Sequence, residues 1–294
     1  MARARRLTVA ARARLRSRHL RPLDVPVWLL GMLVAAAWAA PFVWMVSTSL
    51  KPAGQVMTRT IEWLPRRVVL DNYATVLRYP VATWALNSVV VAAVATALGV
   101  LFGAMAGYAL ARLRFPGRRV LFGLLLASMM IPGEITVVPM LIAFIRIGWA
   151  STYQALILPL VANVLSVYIF RQFFLQFPAE LEDAAIVDGA SRMTVFWRIA
   201  FPLARSSTIA ATVILFTLNW NSFLWPLLVT FDEEMKTLPV GIAAFAPSVG
   251  THTQLEGYGA AMAAITILSV PSLLLFLLLQ RYFIEGVKGA GLTG

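Results

Sequence analysis

The chain has 294 residues, of which 60% are hydrophobic and only 13% are charged. A soluble domain of this length is usually about one quarter charged, so the composition excludes that class and indicates an integral membrane protein of one domain. The sequence contains no cysteine, which excludes a disulfide scaffold and cysteine-based metal or redox sites.

The net charge of +12 has a strong contribution from a basic N-terminal segment, where eight arginines occur within the first 21 residues. No base-reading motif accompanies these arginines, so we expect no nucleic-acid partner. We predict that residues 1–24 form a cytoplasmic tail that contacts anionic membrane lipid. The apolar run that begins at Val25 is too long for a cleaved signal peptide.

Six segments are apolar enough for membrane-spanning helices, each of which needs about 20 mostly apolar residues. Their predicted bounds are 26–48, 84–110, 119–145, 153–175, 205–230 and 261–283. The third is interrupted by Pro132, Gly133 and Glu134. We therefore predict an all-α polytopic membrane protein with a six-helix domain at 25–283 and a glycine-rich cytoplasmic tail at 284–294.

The arginines and lysines of the short loops predict the orientation of these helices. Basic residues follow the second segment, the fourth segment and the last segment, whereas the loop after the fifth, FDEEMK (231–236), leans acidic. The loop at 49–83 is an exception, because its basic residues outnumber its acidic ones. The majority predicts that both termini are cytoplasmic.

Residues 176–204 form a charged insert between the fourth and fifth segments. We predict two short helices, with Pro178 at the first helical position, a turn at Gly189, a cap at Ser191 and an end at Pro202. Such a unit is amphipathic, so its apolar face must pack against another surface. The residues alone leave two alternatives open: a helix lying on its own protein or on the inner leaflet, or a docking surface for a cytoplasmic partner.

The insert contains Asp183-Ala184-Ala185-x-x-Asp188-Gly189-Ala190, followed by Phe196, Ile199 and Pro202. This pattern resembles the EAA motif of ABC importer permeases, with Asp183 in place of the usual glutamate and Phe201 in place of a leucine. Further similar segments are Ser49-Leu50-Lys51, Asn72-Tyr73, Asn87-Ser88, GYALARLRFPGR (107–118), MIPGEITVVP (130–139), NWNSFLWPLLV (219–229), TLPVGIAAF (237–245) and QRYFIEGVKGAG (280–291). The chain resembles the shorter, six-helix permease of the maltose-type carbohydrate importers, which have the type I ABC importer fold.

The resemblance implies that the insert couples the chain to an ATPase. The implied coupling residues are Glu182, Asp183, Ala184, Ala185, Asp188, Gly189, Ala190, Phe196 and Pro202. It also implies a heterodimer with a sister permease, two cytoplasmic ABC ATPase subunits that bind ATP and Mg, and an extracytoplasmic sugar-binding protein. The sequence has no G-x-x-x-x-G-K-[ST] motif, so we expect no ATPase site, no catalytic residue and no bound cofactor in this chain.

Five residues are candidates for the substrate path: Asn219, Trp220, Asn221, Trp225 and Glu134. Amides and aromatic rings suit sugar hydroxyls and sugar faces, but amides also form hydrogen bonds between helices and tryptophans pack as core or belt residues. Glu134 must face a cavity, lie near the outer surface or pair with a cation. Since His252 has no second ligand near it in sequence, we expect no metal site.

These observations predict a permease subunit of an ATP-driven sugar importer in the cytoplasmic membrane of a bacterium or archaeon. One alternative is the same architecture importing a phosphorylated polyol such as glycerol phosphate or another small solute. A more distant alternative is a secondary carrier, which the absence of a clear internal repeat disfavours. An intramembrane enzyme lacks support because the predicted spans contain no nucleophile–base set.

Overall fold

The structure is a computed structural model and describes residues 24–56, 62–245 and 257–290. Every regular element in these ranges is helical, which confirms the predicted all-α class. The basic N-terminal tail up to residue 23, His252 and residues 291–294 lie outside the described ranges.

The first four helices are two long ones separated by two short ones. They are α1 Asp24–Ser49, α2 Ala53–Val56, α3 Asp71–Val76 and α4 Val81–Arg112. The long helices α1 and α4 agree with the first two predicted spans, because their apolar runs are uninterrupted and longer than 20 residues.

The third predicted span is divided into two helices, α5 Arg118–Ser128 and α6 Glu134–Arg146. Pro132 has no backbone N–H to donate and disfavours the helical conformation of the residue before it, so the break coincides with the Pro-Gly pair. Neither helix alone is long enough to be a candidate span. The interruption predicted at Pro132, Gly133 and Glu134 is therefore present, and it divides the segment into two separate helices.

The fourth predicted span consists of α7 Tyr153–Val161 and α8 Val164–Gln176, which together form one candidate span. Both helices begin with a side-chain cap. The Thr152 hydroxyl accepts a hydrogen bond from the Ala155 backbone N–H, and the Asn163 side chain accepts one from the Ser166 N–H.

The charged insert forms two helices, α9 Ala179–Val187 and α10 Arg192–Leu203, followed by α11 Arg205–Trp220. Two details of the prediction were wrong. Pro178 is the N-cap of α9 rather than its first residue. Pro202 does not end α10, since its missing N–H is harmless in the short turn after the π-helical residues Phe196–Ala200. The chain instead bends by 76° at Ala204, between α10 and α11.

The C-terminal part contains α12 Leu224–Val229, a 3₁₀ turn at Glu233–Met235, α13 Leu238–Ala243 and α14 Gly257–Ala290. Helix α14 extends beyond the predicted end of the last span and through part of the predicted glycine-rich tail. Within the described ranges, four helical units are long and apolar enough to cross a membrane, or five if the bent pair of α10 and α11 is one span.

Helix α4 is the central element, and it packs against α7, α8 and α11. Its contact with α8 is close because α4 presents Gly103 and Gly107 to that helix. A β-carbon on Gly103 would lie 2.6 Å from the Ser166 β-carbon, and one on Gly107 would lie 2.8 Å from the Arg171 backbone nitrogen. With 32 residues, α4 is about 48 Å long, which is long enough to cross a bilayer.

Candidate functional site

Helices α9 and α10 form a compact helix pair at the Arg112 end of α4. Gly189 joins them with φ +86°, a conformation that a residue with a β-carbon resists. The Ser191 hydroxyl accepts a hydrogen bond of 3.1 Å from the Thr194 N–H and caps α10. The predicted turn and the predicted cap are both present in the structure.

One side of the helix pair is open to its surroundings. Asp183, Ala184, Val187, Asp188 and Gly189 are all exposed, and we call these residues the exposed rim. Val187 is 87% exposed, although it is a large apolar side chain. Its exposure makes it a candidate anchor for a partner. The motif that identified its neighbours does not specify this position, so the sequence analysis missed it.

Other predicted coupling residues lie on the inner side of the helix pair. Phe196 is only 2% exposed, and its ring centroid lies 5.3 Å from that of Tyr108 in α4 and 6.4 Å from that of Phe174 in α8. In this structure it anchors α10 to its own chain rather than to a partner. Ala185 and Ala190 are half-buried, whereas Pro202 is exposed.

Glu182 is the buried carboxylate of the helix pair, with only 3% of its surface exposed. Its Oε1 lies 2.8 Å from Nε of Arg112, the last residue of α4. Next to this ion pair a cleft of about 880 Å³ opens between the end of α4 and the helix pair, lined in part by Arg114, Arg118 and Asp183.

The acidic turn at 231–236 lies at the opposite end of α4. Asn87, near the start of α4, donates hydrogen bonds of 2.7 Å and 2.9 Å to the carbonyl oxygens of Glu234 and Lys236. The Asn87 side-chain oxygen accepts a bond of 2.6 Å from the Tyr153 hydroxyl. These bonds hold the acidic turn rigidly at the face of the molecule that is remote from the helix pair.

Two further residues of α4 hold the same turn. Trp84 is 1% exposed, and its indole N–H donates to the Glu233 carbonyl oxygen at 3.0 Å. The Ser88 hydroxyl accepts a bond of 2.8 Å from the Leu238 N–H at the start of α13. The Asn87-Ser88 pair, singled out by its resemblance to importer permeases, therefore has a structural role in this chain.

The segment after α1 packs around a buried lysine. Lys51 is 1% exposed; its ammonium group donates to the Glu62 carbonyl oxygen and lies 4.1 Å from the centroid of the Trp44 ring. Burial lowers the pKa of Lys51, and the charge of Glu62 partly opposes that shift. The Asn72 amide donates to the carbonyl oxygens of Ser49 and Lys51, each at 2.9 Å.

Three of the substrate-path candidates have their polar atoms occupied within the chain. Asn219 in α11 donates to the Thr96 hydroxyl of α4 at 3.1 Å. The indole N–H of Trp220 donates to the Leu268 carbonyl oxygen of α14 at 3.1 Å, and that of Trp225 donates to the Ala155 carbonyl oxygen of α7 at 2.8 Å. These contacts agree with the alternative of interhelical hydrogen bonding and packing.

The other two candidates are exposed. Asn221 donates to the Thr217 carbonyl oxygen of its own helix, and Glu134 starts α6 with no ion pair inside the described ranges. The assignment of these five residues to the substrate path stays a prediction. In the part of the chain that the structure describes, no group of three or more histidine, aspartate or glutamate residues could hold a metal ion.

We expect Asn219→Ala to destabilise the protein, because it removes a hydrogen bond between α11 and α4 and leaves the buried Thr96 hydroxyl without its partner. Interhelical hydrogen bonds in membranes contribute about 0.6 kcal/mol on average and up to about 1.7 kcal/mol. Thermal unfolding in detergent measures the loss. Asn221→Ala is the matched control and should change stability by less than roughly 0.5 kcal/mol; equal losses in both variants would contradict the structural role of Asn219.

Residues 99–289 match the family described as binding-protein-dependent transport system inner membrane component. The chain is 36% identical to the arabinooligosaccharides transport system permease protein AraQ of Halalkalibacterium halodurans, over 91% of this chain and 96% of AraQ. It is 35% identical to the sn-glycerol-3-phosphate transport system permease protein UgpE of Yersinia pestis, over 71% of this chain and 73% of UgpE.

The fold is similar to that of a chain from the crystal structure of a bacterial ABC transporter involved in the import of the acidic polysaccharide alginate. The TM-score is 0.78, and the match covers 91% of this chain and 98% of that chain at 21% identity. At this identity the likeness shows a shared fold and carries no information about the substrate.

Proposed function

Because the chain belongs to the family of binding-protein-dependent transport system inner membrane components, we propose that it forms one half of the translocation path of a sugar importer. It is a multi-pass inner membrane protein of a prokaryotic ABC importer, and it is the permease component, which lacks an ATPase domain. A system of this kind works with ATPase subunits and a binding protein. Because of this family assignment, we no longer consider the alternative of a secondary carrier.

The observation that supports the proposal most strongly is the exposed helix pair at one end of α4. Its rim offers carboxylates, small residues and the apolar Val187 to a partner, while Phe196 secures the inner side of α10 to the core. A partner surface needs an apolar anchor within a polar surround, which the rim provides. We infer that a cytoplasmic ATPase subunit docks here.

The topology that fits this docking has six crossings with both termini in the cytoplasm. In this arrangement the six crossings are α1, α4, the divided pair α5–α6, α7–α8, α11 and α14. The helix pair then lies on the same side as the basic N-terminal segment, and the acidic turn lies outside, as supported by the contacts of the acidic turn with the opposite end of α4. The acidic turn and the loop at 49–83 are then the candidate docking surfaces for a binding protein.

The assembly we propose contains this chain, a sister permease and two ATPase subunits that bind ATP and Mg. Closure of the ATPase subunits on ATP would move the helix pair, and α4 would carry that movement across the bilayer to the acidic turn. The path between the permeases would then open outward to receive substrate from the binding protein, and hydrolysis would return it to the inward-open state. This chain itself performs no chemical step.

A sugar is the substrate class we propose, on the strength of the 36% identity to AraQ along almost the whole chain. The match to UgpE keeps a phosphorylated polyol such as glycerol phosphate as the second candidate. Neither assignment rests on the five substrate-path candidates.

The test is reconstitution of the complex in liposomes with its binding protein, followed by measurement of ATP hydrolysis with single solutes. We expect stimulation by an arabinose or glucose oligosaccharide and little by sn-glycerol 3-phosphate. Stimulation by glycerol phosphate alone would replace the sugar proposal with the second candidate. Uptake that needs an ion gradient and no ATP would overturn the proposed energy source.

A further inference from the structure

Glu182 differs from the other acidic residues of α9 in being buried. Its side chain is 4% exposed, whereas Glu180 and Asp183 are exposed on the same helix. A buried carboxylate is costly unless it is paired and hydrogen-bonded. Glu182 meets this condition through Arg112 at 2.8 Å and through Arg192, whose Nη1 lies 3.5 Å from the second carboxylate oxygen.

The three residues of this triad belong to three different elements. Arg112 is the last residue of α4, Glu182 lies in the middle of α9 and Arg192 is the first residue of α10. The Arg112 guanidinium also lies 5.7 Å from the centroid of the Phe177 ring, just before α9. The triad therefore joins both helices of the pair to the end of the helix on which the core is built.

The two ion pairs differ in strength. Arg112 is 15% exposed and donates a short, charge-assisted hydrogen bond, so water screens this pair little. Arg192 is 55% exposed and lies at the longer distance, so its contribution to the same carboxylate is smaller. The bond from Glu182 to Arg112 therefore links α9 to the end of α4, whereas the weaker pair of Glu182 with Arg192 joins the two helices of the pair to each other.

We propose that Glu182 is a positioning residue that makes the helix pair and the adjacent end of α4 move as one body. A displacement applied at the exposed rim is then passed to α4 instead of being absorbed by hinging at residues 176–178 and at the bend at Ala204. The aromatic contact of Phe196 with Tyr108 provides a second, apolar link, but it holds α10 and not α9. This inference rests on the proposed function, because the ATPase supplies the displacement.

The first test measures the rigidity of the link and does not need the ATPase. Since the chain has no native cysteine, Val187→Cys and Phe102→Cys provide a unique pair of spin-label sites, one on the exposed rim and one on α4. We expect one narrow distance distribution in the otherwise native chain and a broad one after Glu182→Gln. Glu180→Gln, which neutralises an exposed acid of the same helix, is the control and should leave the distribution narrow.

A distribution that stays narrow in Glu182→Gln would overturn the proposal. If Glu182→Gln does not fold, Arg112→Lys keeps the charge but loses the geometry of the guanidinium, and intermediate broadening is expected. Arg192→Gln removes the weaker partner and should broaden the distribution least. Equal broadening by Arg112→Lys and Arg192→Gln would contradict the ranking of the two ion pairs.

The second test measures transport per ATP hydrolysed in the reconstituted complex. We expect Glu182→Gln to lower this ratio about tenfold, while the ATPase subunits remain bound and active. If Glu182→Gln broadens the distance distribution but leaves transport per ATP hydrolysed unchanged, Glu182 has only a structural role and the proposal is overturned. Failure of the native chain to bind any ATPase would instead overturn the proposed function and leave the result of the spin-label test unaffected.

Discussion

Gly189→Asp is expected to uncouple ATP hydrolysis from transport while the chain still inserts into the membrane. The glycine has φ +86°, and a β-carbon there costs roughly 1–2 kcal/mol although it meets only open space. The new carboxylate would lie beside Asp188 on the exposed rim, and an unpaired charge that becomes buried in an interface is costly. Transport by the reconstituted complex should fall by more than about tenfold while ATP hydrolysis continues.

Two controls separate the causes of this effect. Gly189→Asn introduces a side chain of nearly the same shape as that of Gly189→Asp, and asparagine tolerates the left-handed conformation. Because it adds no charge, this variant should retain more transport. Gly148→Asp places the same residue at another glycine with positive φ and open space, in the turn between α6 and α7 rather than at the helix pair. Full coupled transport in Gly189→Asp, or equal uncoupling in Gly148→Asp, would contradict the role assigned to the rim.

Gly103→Ala is expected to destabilise the contact between α4 and α8. The added β-carbon would lie 2.6 Å from the Ser166 β-carbon and 3.1 Å from the Ser166 carbonyl carbon, so α8 must move away. Overpacking of this kind typically costs about 1–3 kcal/mol. The measurement is thermal unfolding of the purified chain in detergent, together with the yield of folded protein.

The compensating change is Ser166→Gly, which removes both side-chain atoms that the new methyl group meets. Glycine inside α8 carries its own cost of about 0.5–1 kcal/mol, so the rescue is read from a double-mutant cycle rather than from the double variant alone. Gly123→Ala in α5, where a β-carbon meets nothing, is the neutral control. Strict additivity of Gly103→Ala and Ser166→Gly would contradict the close contact.

The prediction of the spans from the sequence was best where the helix is one unbroken apolar run. The bounds of α1 and α4 agree with the predicted ones to within about three residues, as expected for element ends. At 119–145 the sequence indicated an interruption at Pro132, Gly133 and Glu134, but apolar composition did not show that the segment forms two separate helices, α5 and α6. Average hydropathy reports burial in lipid, whereas the break depends on the local backbone geometry at Pro132.

The close packing of α4 on α8 has a signal in the sequence of α4. Gly99, Gly103 and Gly107 recur at every fourth position and so lie on one face of α4. This spacing indicates close helix contact in membranes, although it does not identify the helix that approaches.

The local sequence by itself determined the helical class, the apolar spans, the turn at Gly189 and the cap at Ser191, because each depends on residues within one or two helical turns. Only the tertiary structure decided that Glu182 pairs with Arg112 and that Asn219 pairs with Thr96. These partners are 70 and 123 positions apart, and nothing in the spacing of either residue specifies the other.

The same limit explains why the predicted coupling residues separated into two groups. The motif marks a contiguous stretch, but a short helix packed on a core has one side turned inward and one turned outward. Burial of Glu182 and Phe196 and exposure of Val187 follow from how α9 and α10 lie against α4 and α8. That placement results from long-range packing of apolar surface, which local sequence patterns do not encode.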